Sequence, residues 1–247
     1  PVAQETPVPQ TKTAVVTTPA PTEEKKGLWG TTDWSGRINL GASLQRGNSE
    51  TESINADASA KARWKEHRIS AAIEYNRAKD AGTVSEDNRK YEGQYDYFFT
   101  RGWFANTSLG LEQDAIAALD LRTTVGLALG HQAYEGDDLN LQYKFGPTYL
   151  HENFDNAPND QSIAGEWSLA YDQRIWKKWL QIFHEHNLFV PADDGSAWLA
   201  DSKTGVRVPI KDSLTGTAEV DFDWDNAPAP GTEKGDTTYA LKLGYEW

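Results

Sequence analysis

The segment GDTTYALKLGYEW, residues 235–247, alternates with a period of two. Tyr239, Leu241, Leu243, Tyr245 and Trp247 make one wholly apolar face with rings at both ends, and Thr238, Ala240, Lys242, Gly244 and Glu246 make the other. Such a period belongs to a β-strand, whose successive side chains point to opposite sides. Two folds accept this strand. In a soluble sandwich the apolar face turns inward against a second sheet; in a lipid-embedded barrel it turns outward and leaves Lys242 and Glu246 to a lumen.

The same grammar runs through the chain from Trp34. In residues 34–45 Trp34, Ile38, Leu40 and Leu44 oppose Arg37, Asn39 and Gln45; in residues 53–64 Ile54, four alanines and Trp64 oppose Asn55, Asp57, Lys61 and Arg63. Twelve strands are predicted, over about 34–46, 51–64, 67–78, 88–99, 103–114, 120–134, 139–153, 161–173, 178–190, 196–210, 214–225 and 236–247. Many of them run to about 11–14 residues, well beyond the common soluble length of about 5–6 and enough for a tilted span of about 9–11. Close spacing makes each neighbour a hairpin partner, so the expected fold is all-β: a closed antiparallel up-and-down transmembrane barrel of twelve strands. Closure leaves no unpaired edge, and it gives the last strand, ending at Trp247, the first strand as its partner.

The links alternate in length. KE (65–66), TRG (100–102), EGDD (135–138), RIWKK (174–178) and KDS (211–213) are short. AKDAGTVSED (78–87), DAIAAL (114–119), DNAPND (155–160), PADDG (191–195) and DNAPAPGTEKGD (225–236) are longer, and RGNSE (46–50) is the least distinctive. Outer-membrane barrels have short periplasmic turns and longer external loops. An even strand number then places both termini in the periplasm. Residues 1–26 hold five prolines and no aromatic residue, which predicts a flexible periplasmic arm ahead of a barrel over 27–247.

Composition removes other classes. A formal charge of -13 argues against nucleic acid as a partner, because that affinity comes from positive charge. No stretch is apolar for long enough to form a membrane helix, whereas a barrel, with every second side chain polar, escapes that test. The absence of cysteine excludes disulfides, a thiol nucleophile and a cysteine metal site. The chain begins PVAQETP, with neither an initiator methionine nor a secretion signal.

Four stretches carry a resemblance: TDWSGRINLGASLQRGNSET (32–51), RKYEGQYDYFFTRGWF (89–104), LDLRTTVGLALGH (119–131) and DFDWDNAPAPGTEKGDTTYALKLGYEW (221–247). In order, they closely resemble the bacterial salt-induced outer-membrane protein family, a domain family of unknown function. That resemblance covers about Trp34 through Trp247. It implies a Gram-negative outer-membrane barrel made with a removable signal, and a final aromatic strand of the kind the barrel-assembly machinery reads. It supplies no catalytic or ligand residue.

Parity assigns a set of charges to the lumen: Arg37, Asp57, Lys61, Arg63, Arg68, Glu74, Glu92, Asp96, Glu112, Arg122, Lys144, Glu166, Asp172, Arg207, Lys242 and Glu246. Both signs occur, so cross-lumen pairing is expected. Glu219, Asp221 and Asp223 form an acidic strip that predicts attraction for a cation, with Arg207 as the candidate partner. Trp34, Trp64, Tyr97, Phe99, Tyr149, Trp224, Tyr239, Tyr245 and Trp247 are the candidates for interfacial aromatic belts in contact with outer-membrane lipid. No cofactor or metal is called for.

The expected function is passage of a small solute or cation, with a nonconducting envelope-structural or adhesion barrel as the alternative. A lipid hydrolase is a remote one: His184 and His186 share a strand face, and Ser196 or Ser202 would have to face one of them. The two histidines lack the helical spacing of a zinc protease. Parity around LQIFHEHNLFV (180–190) is poor and leaves the outward face there open.

Overall fold

The computed structural model describes residues 26–27, 30–45, 51–155, 158–228 and 234–247. Apart from Lys26, the predicted arm lies outside the described residues, as do the RGNSE loop and parts of the DNAPND and DNAPAPGTEKGD loops. β1 (Lys26–Gly27) and β2 (Gly30–Thr31) form a minimal hairpin. Twelve long strands follow: β3 (Asp33–Gln45), β4 (Thr51–Trp64), β5 (His67–Asp80), β6 (Thr83–Phe98), β7 (Trp103–Asp114), β8 (Leu119–Glu135), β9 (Leu139–Phe154), β10 (Asp160–Ile175), β11 (Leu180–Pro191), β12 (Leu199–Lys211), β13 (Leu214–Asp225) and β14 (Gly235–Glu246). Each pairs antiparallel with its sequence neighbours, and β14 pairs with β3 to close the barrel.

The sequence expectation of a twelve-strand closed barrel therefore holds, with two corrections at the links. AKDAGTVSED is not a long loop. β5 and β6 stay paired as far as Asp80 and Thr83, and Ala81 and Gly82 alone make the turn. Both have positive φ, 48° and 79°, as a two-residue hairpin turn requires, and glycine tolerates this backbone where most residues do not. The tenth strand likewise runs on to Ile175, so RIWKK contributes only part of a turn over 176–179. Trp176, Lys177 and Lys178 all take positive φ there.

Exposure shows which way the faces point. Leu241 is 78% exposed while the adjacent Lys242 is 4%. A soluble protein would reverse the two, because apolar area left in water costs about 25 cal/mol per Å² and taking an ammonium out of water costs several kcal/mol before any pairing. The outward row continues through Ile38, Leu40, Ile54, Leu127 and Ile163, all exposed. A hydrocarbon solvent stabilises such a surface; water does not. Of the belt candidates, Trp34, Tyr97, Phe99, Tyr245 and Trp247 are exposed near the tight-turn end, and Tyr149 and Tyr239 are exposed on β9 and β14. Trp64 and Trp224 are half-buried, Trp64 stacked on His67 and Trp224 on Trp198 and Phe222.

Candidate functional site

The lumen side of the barrel is polar and densely paired. Lys and Arg side chains projecting from alternate strand positions meet carboxylates on adjacent strands and across the interior. At the closure seam Arg37 Nε donates to Glu246 at 2.6 Å. Arg122 bridges three strands, donating to Glu112 at 2.9 Å and to Glu152 at 2.6 Å. Lys144 lies 3.4 Å from Glu166, which also accepts the Thr148 hydroxyl. Arg63 lies 3.7 Å from Glu135.

Buried Arg68 is the most fully committed cation. Its three guanidinium nitrogens donate to Asp96 at 2.6 Å, Gln132 at 2.6 Å and Gln142 at 2.7 Å, drawing on three other strands. Asn106 donates to the other Asp96 oxygen at 2.6 Å. A buried ion pair is tolerated only when such hydrogen bonds satisfy its remaining valences.

The acidic strip on β13 does not stand as bare carboxylates. Each member has a lysine from a different strand: Glu219 pairs with Lys242 of β14, Asp221 lies 3.8 Å from Lys203 of β12, and Asp223 lies 3.1 Å from Lys90 of β6. Lys242 also donates to Asp57 at 2.7 Å. Arg207 is not the partner expected from sequence. It stacks 3.7 Å over the Phe183 ring, and the lysines neutralise the strip instead.

Two of these contacts cross the lumen. Lys203 of β12 donates to Glu74 of β5 at 2.6 Å, and Lys90 of β6 reaches Asp223 of β13. Each pair joins strands five steps apart around a circle of twelve, nearly opposite walls. They form bars across the interior. By contrast Lys61, Glu92 and Glu185 form no ion pair among the described residues and remain exposed to the lumen.

Three inward phenylalanines were not legible as site residues. Phe98 and Phe104 pack 4.9 Å apart with Arg63 and Arg68 over their rings. Phe104 occupies the space a Cβ at Gly130 would need, and Phe183 does the same at Gly205. Rings seated over glycines thus fill part of the interior, and guanidinium groups cover their other faces.

The histidines lie on the outward face of β11, joined in a chain. Trp167 Nε1 donates to His186 Nε2 at 3.0 Å, His186 Nδ1 is 2.9 Å from His184 Nε2, and His184 Nδ1 is 2.7 Å from Thr204 Oγ1. Both nitrogens of each ring are therefore occupied. Ser202 faces His186 in register without a hydrogen bond to it, and Ser196 donates its hydroxyl to Asp194 at 2.5 Å. Hydrogen bonds from the Ser196 hydroxyl and amide hold the Asp194 carboxyl below its ordinary range. Neither serine has a histidine base, so the Ser–His pairing weighed from sequence is not formed at these residues.

Comparison with known proteins agrees with this architecture. The chain is 22% identical over 230 residues to "Uncharacterized protein YdiY" of Escherichia coli (strain K12), covering 86% of this chain and 82% of that one. The NanC porin structure superposes with a TM-score of 0.51 at 11% identity, covering 86% of this chain and 98% of that chain. The translocator domain of the autotransporter NalP from Neisseria meningitidis gives 0.47 at 10% identity, over 87% and 88%. At 11% identity the likeness to the NanC porin is one of fold, a porin-like barrel. Residues 38–247, nearly the whole barrel, match the family described as "Protein of unknown function, DUF481", and the chain belongs to that family.

Proposed function

We propose that the protein is an integral outer-membrane barrel that passes small hydrophilic solutes through a lumen narrowed by ion pairs. The observation that carries this reading is the inverted partition of the wall: Leu241 and its row are exposed outward while Lys242 and its row are buried within. A bilayer accepts that cylinder, and a polar interior with Lys61, Glu92 and Glu185 open to it accepts water and solute. Outer-membrane lipid is then its surrounding solvent, and the barrel-assembly machinery its partner during insertion. The β13 strip is satisfied by lysines, which favours a narrow mixed-charge passage over a dedicated cation channel.

The cross-lumen bars favour a second reading, a nonconducting structural barrel, because Lys203–Glu74 and Lys90–Asp223 span the route that a solute would take. Planar-bilayer recording separates the two. Discrete conductance steps from the purified full chain support passage; a silent insertion, confirmed by a folded barrel in the same membrane, supports the structural role.

A further inference from the structure

Toward the tight-turn end the lumen opens into a polar cavity of about 180 Å³ with Lys61, Arg68, Asp172 and Glu185 in its walls. Its walls are unlike in charge. Lys61 projects from β4, beside Arg63 of the same strand and Arg68 of β5. Asp172 and Glu185 project from β10 and β11, and Glu185 lies five steps around the barrel from Lys61 through β12, β13, β14 and β3. The basic and acidic walls thus face each other nearly across the interior.

Most of these charges are already spent within the protein. Arg68 gives its three nitrogens to Asp96, Gln132 and Gln142, and Arg63 lies against Glu135. Lys61 forms no ion pair or hydrogen bond among the described residues, and neither does Glu185. Asp172 accepts from the neutral amides of Asn140 and Gln181 and forms no salt bridge among the described residues, so Lys61 acts on its charge only across the cavity. The Lys203–Glu74 bar shows what opposite walls do when the side chains reach one another. At Lys61 and Glu185 the same polarity is present and the gap is open.

We infer that this cavity is a binding site for a small zwitterionic solute, one that turns its carboxylate to Lys61 and its ammonium to Glu185 and Asp172. Both charged ends are needed. A simple anion meets the Asp172 and Glu185 carboxylates, a simple cation meets Lys61 with Arg63 and Arg68 behind it, and a neutral polyol leaves both walls unanswered. Charge-assisted contacts at each end are about twice as strong as neutral ones and fix the direction in which the solute lies. The inference rests on the reading of the lumen as a solute passage and names what that passage would select.

Saturation-transfer NMR and calorimetry on the detergent-purified full chain test this directly. The probes are β-alanine, γ-aminobutyrate and ε-aminocaproate, set against butyrate and butylamine as their singly charged counterparts. At least one zwitterion is expected to bind and the two counterparts to bind at least about tenfold more weakly, with Lys61→Gln and Glu185→Gln each weakening the zwitterion by about tenfold or more. Variants that keep the heat-modifiable gel mobility of a folded barrel are the ones compared. The inference is overturned if butyrate or butylamine binds as well as every zwitterion, if no zwitterion binds, or if both substitutions leave affinity unchanged. Binding needs no conductance. Channels that conduct potassium chloride without binding zwitterions end the inference alone, and zwitterion binding by a nonconducting barrel ends the passage reading alone.

Discussion

Gly36 and Trp247 exchange both main-chain hydrogen bonds at 3.1 Å, and the Trp247 indole covers the space that a Cβ on Gly36 would fill. This contact sits at the seam where β14 meets β3. Only five residue pairs are in register between those strands, from Lys242 with Gly41 to Glu246 with Arg37, against thirteen between β3 and β4. The barrel is therefore least tied at its closure, and the terminal ring and the Arg37–Glu246 pair carry a large share of it. Replacing Gly36 with Val is expected to displace the indole and lower closure, read as loss of the heat-modifiable band and faster hydrogen exchange in β14 than in β9. Unchanged exchange in β14 would contradict the role given to this contact.

Removing Arg68 should be among the costliest single changes in the lumen. Arg68→Ala leaves the buried Asp96 carboxylate without its cation and two glutamine carbonyls without their donor. Breaking one side of a buried pair costs about 3–5 kcal/mol. Urea unfolding in vesicles checks it. A loss under about 1 kcal/mol, the range of an exposed pair, would show that water reaches the site freely.

The cross-lumen bars predict a gain of flow when they are cut. Lys203→Met frees Glu74 and Asp221, and Asp223→Asn weakens the hold on Lys90. In planar bilayers the double variant is expected to conduct in larger steps than the parent chain. Equal steps would mean that these pairs stand beside the route and not across it.

On the outer wall the sign of the effect reverses. Leu241→Arg places a guanidinium on the exposed apolar row and is expected to cost about 2–4 kcal/mol if that site lies near the bilayer midplane. Thr238→Arg, on the opposite face of the same strand, should cost less, because its side chain belongs to the polar lumen face. Reversed costs would place lipid on the wrong side of the wall.

The extent to which the sequence revealed this structure depended on how local the signal was. Alternation within a strand is a property of neighbouring residues, so the outward row from Tyr239 to Trp247 and the twelve-strand count were readable without coordinates. The partner of a charge is not local. Glu219 meets Lys242 and Asp223 meets Lys90 because of register and curvature, and no spacing in the chain records either. Arg207 lies close to Glu219 along the β12–β13 hairpin, yet its guanidinium lies on Phe183. The same phenylalanine explains why parity failed around His184: an apolar ring points inward over Gly205 while two histidines point outward. At the β5–β6 hairpin the charged residues of AKDAGTVSED suggested a loop, whereas the strands project that far as a paired ribbon and turn at Ala81–Gly82.

The partition of the wall is tested most directly by placing single cysteines along β14, in a chain that has none of its own. Spin labels at positions 239 to 244, in vesicles, report contact with lipid-soluble oxygen or with a water-soluble nickel chelate. Oxygen is expected to reach 239, 241 and 243 preferentially and to fall at 240, 242 and 244. Chelate reaching 241 and 243 as freely as oxygen, with the chain monodisperse in the absence of detergent, would contradict a lipid-facing wall and the barrel's place in a membrane.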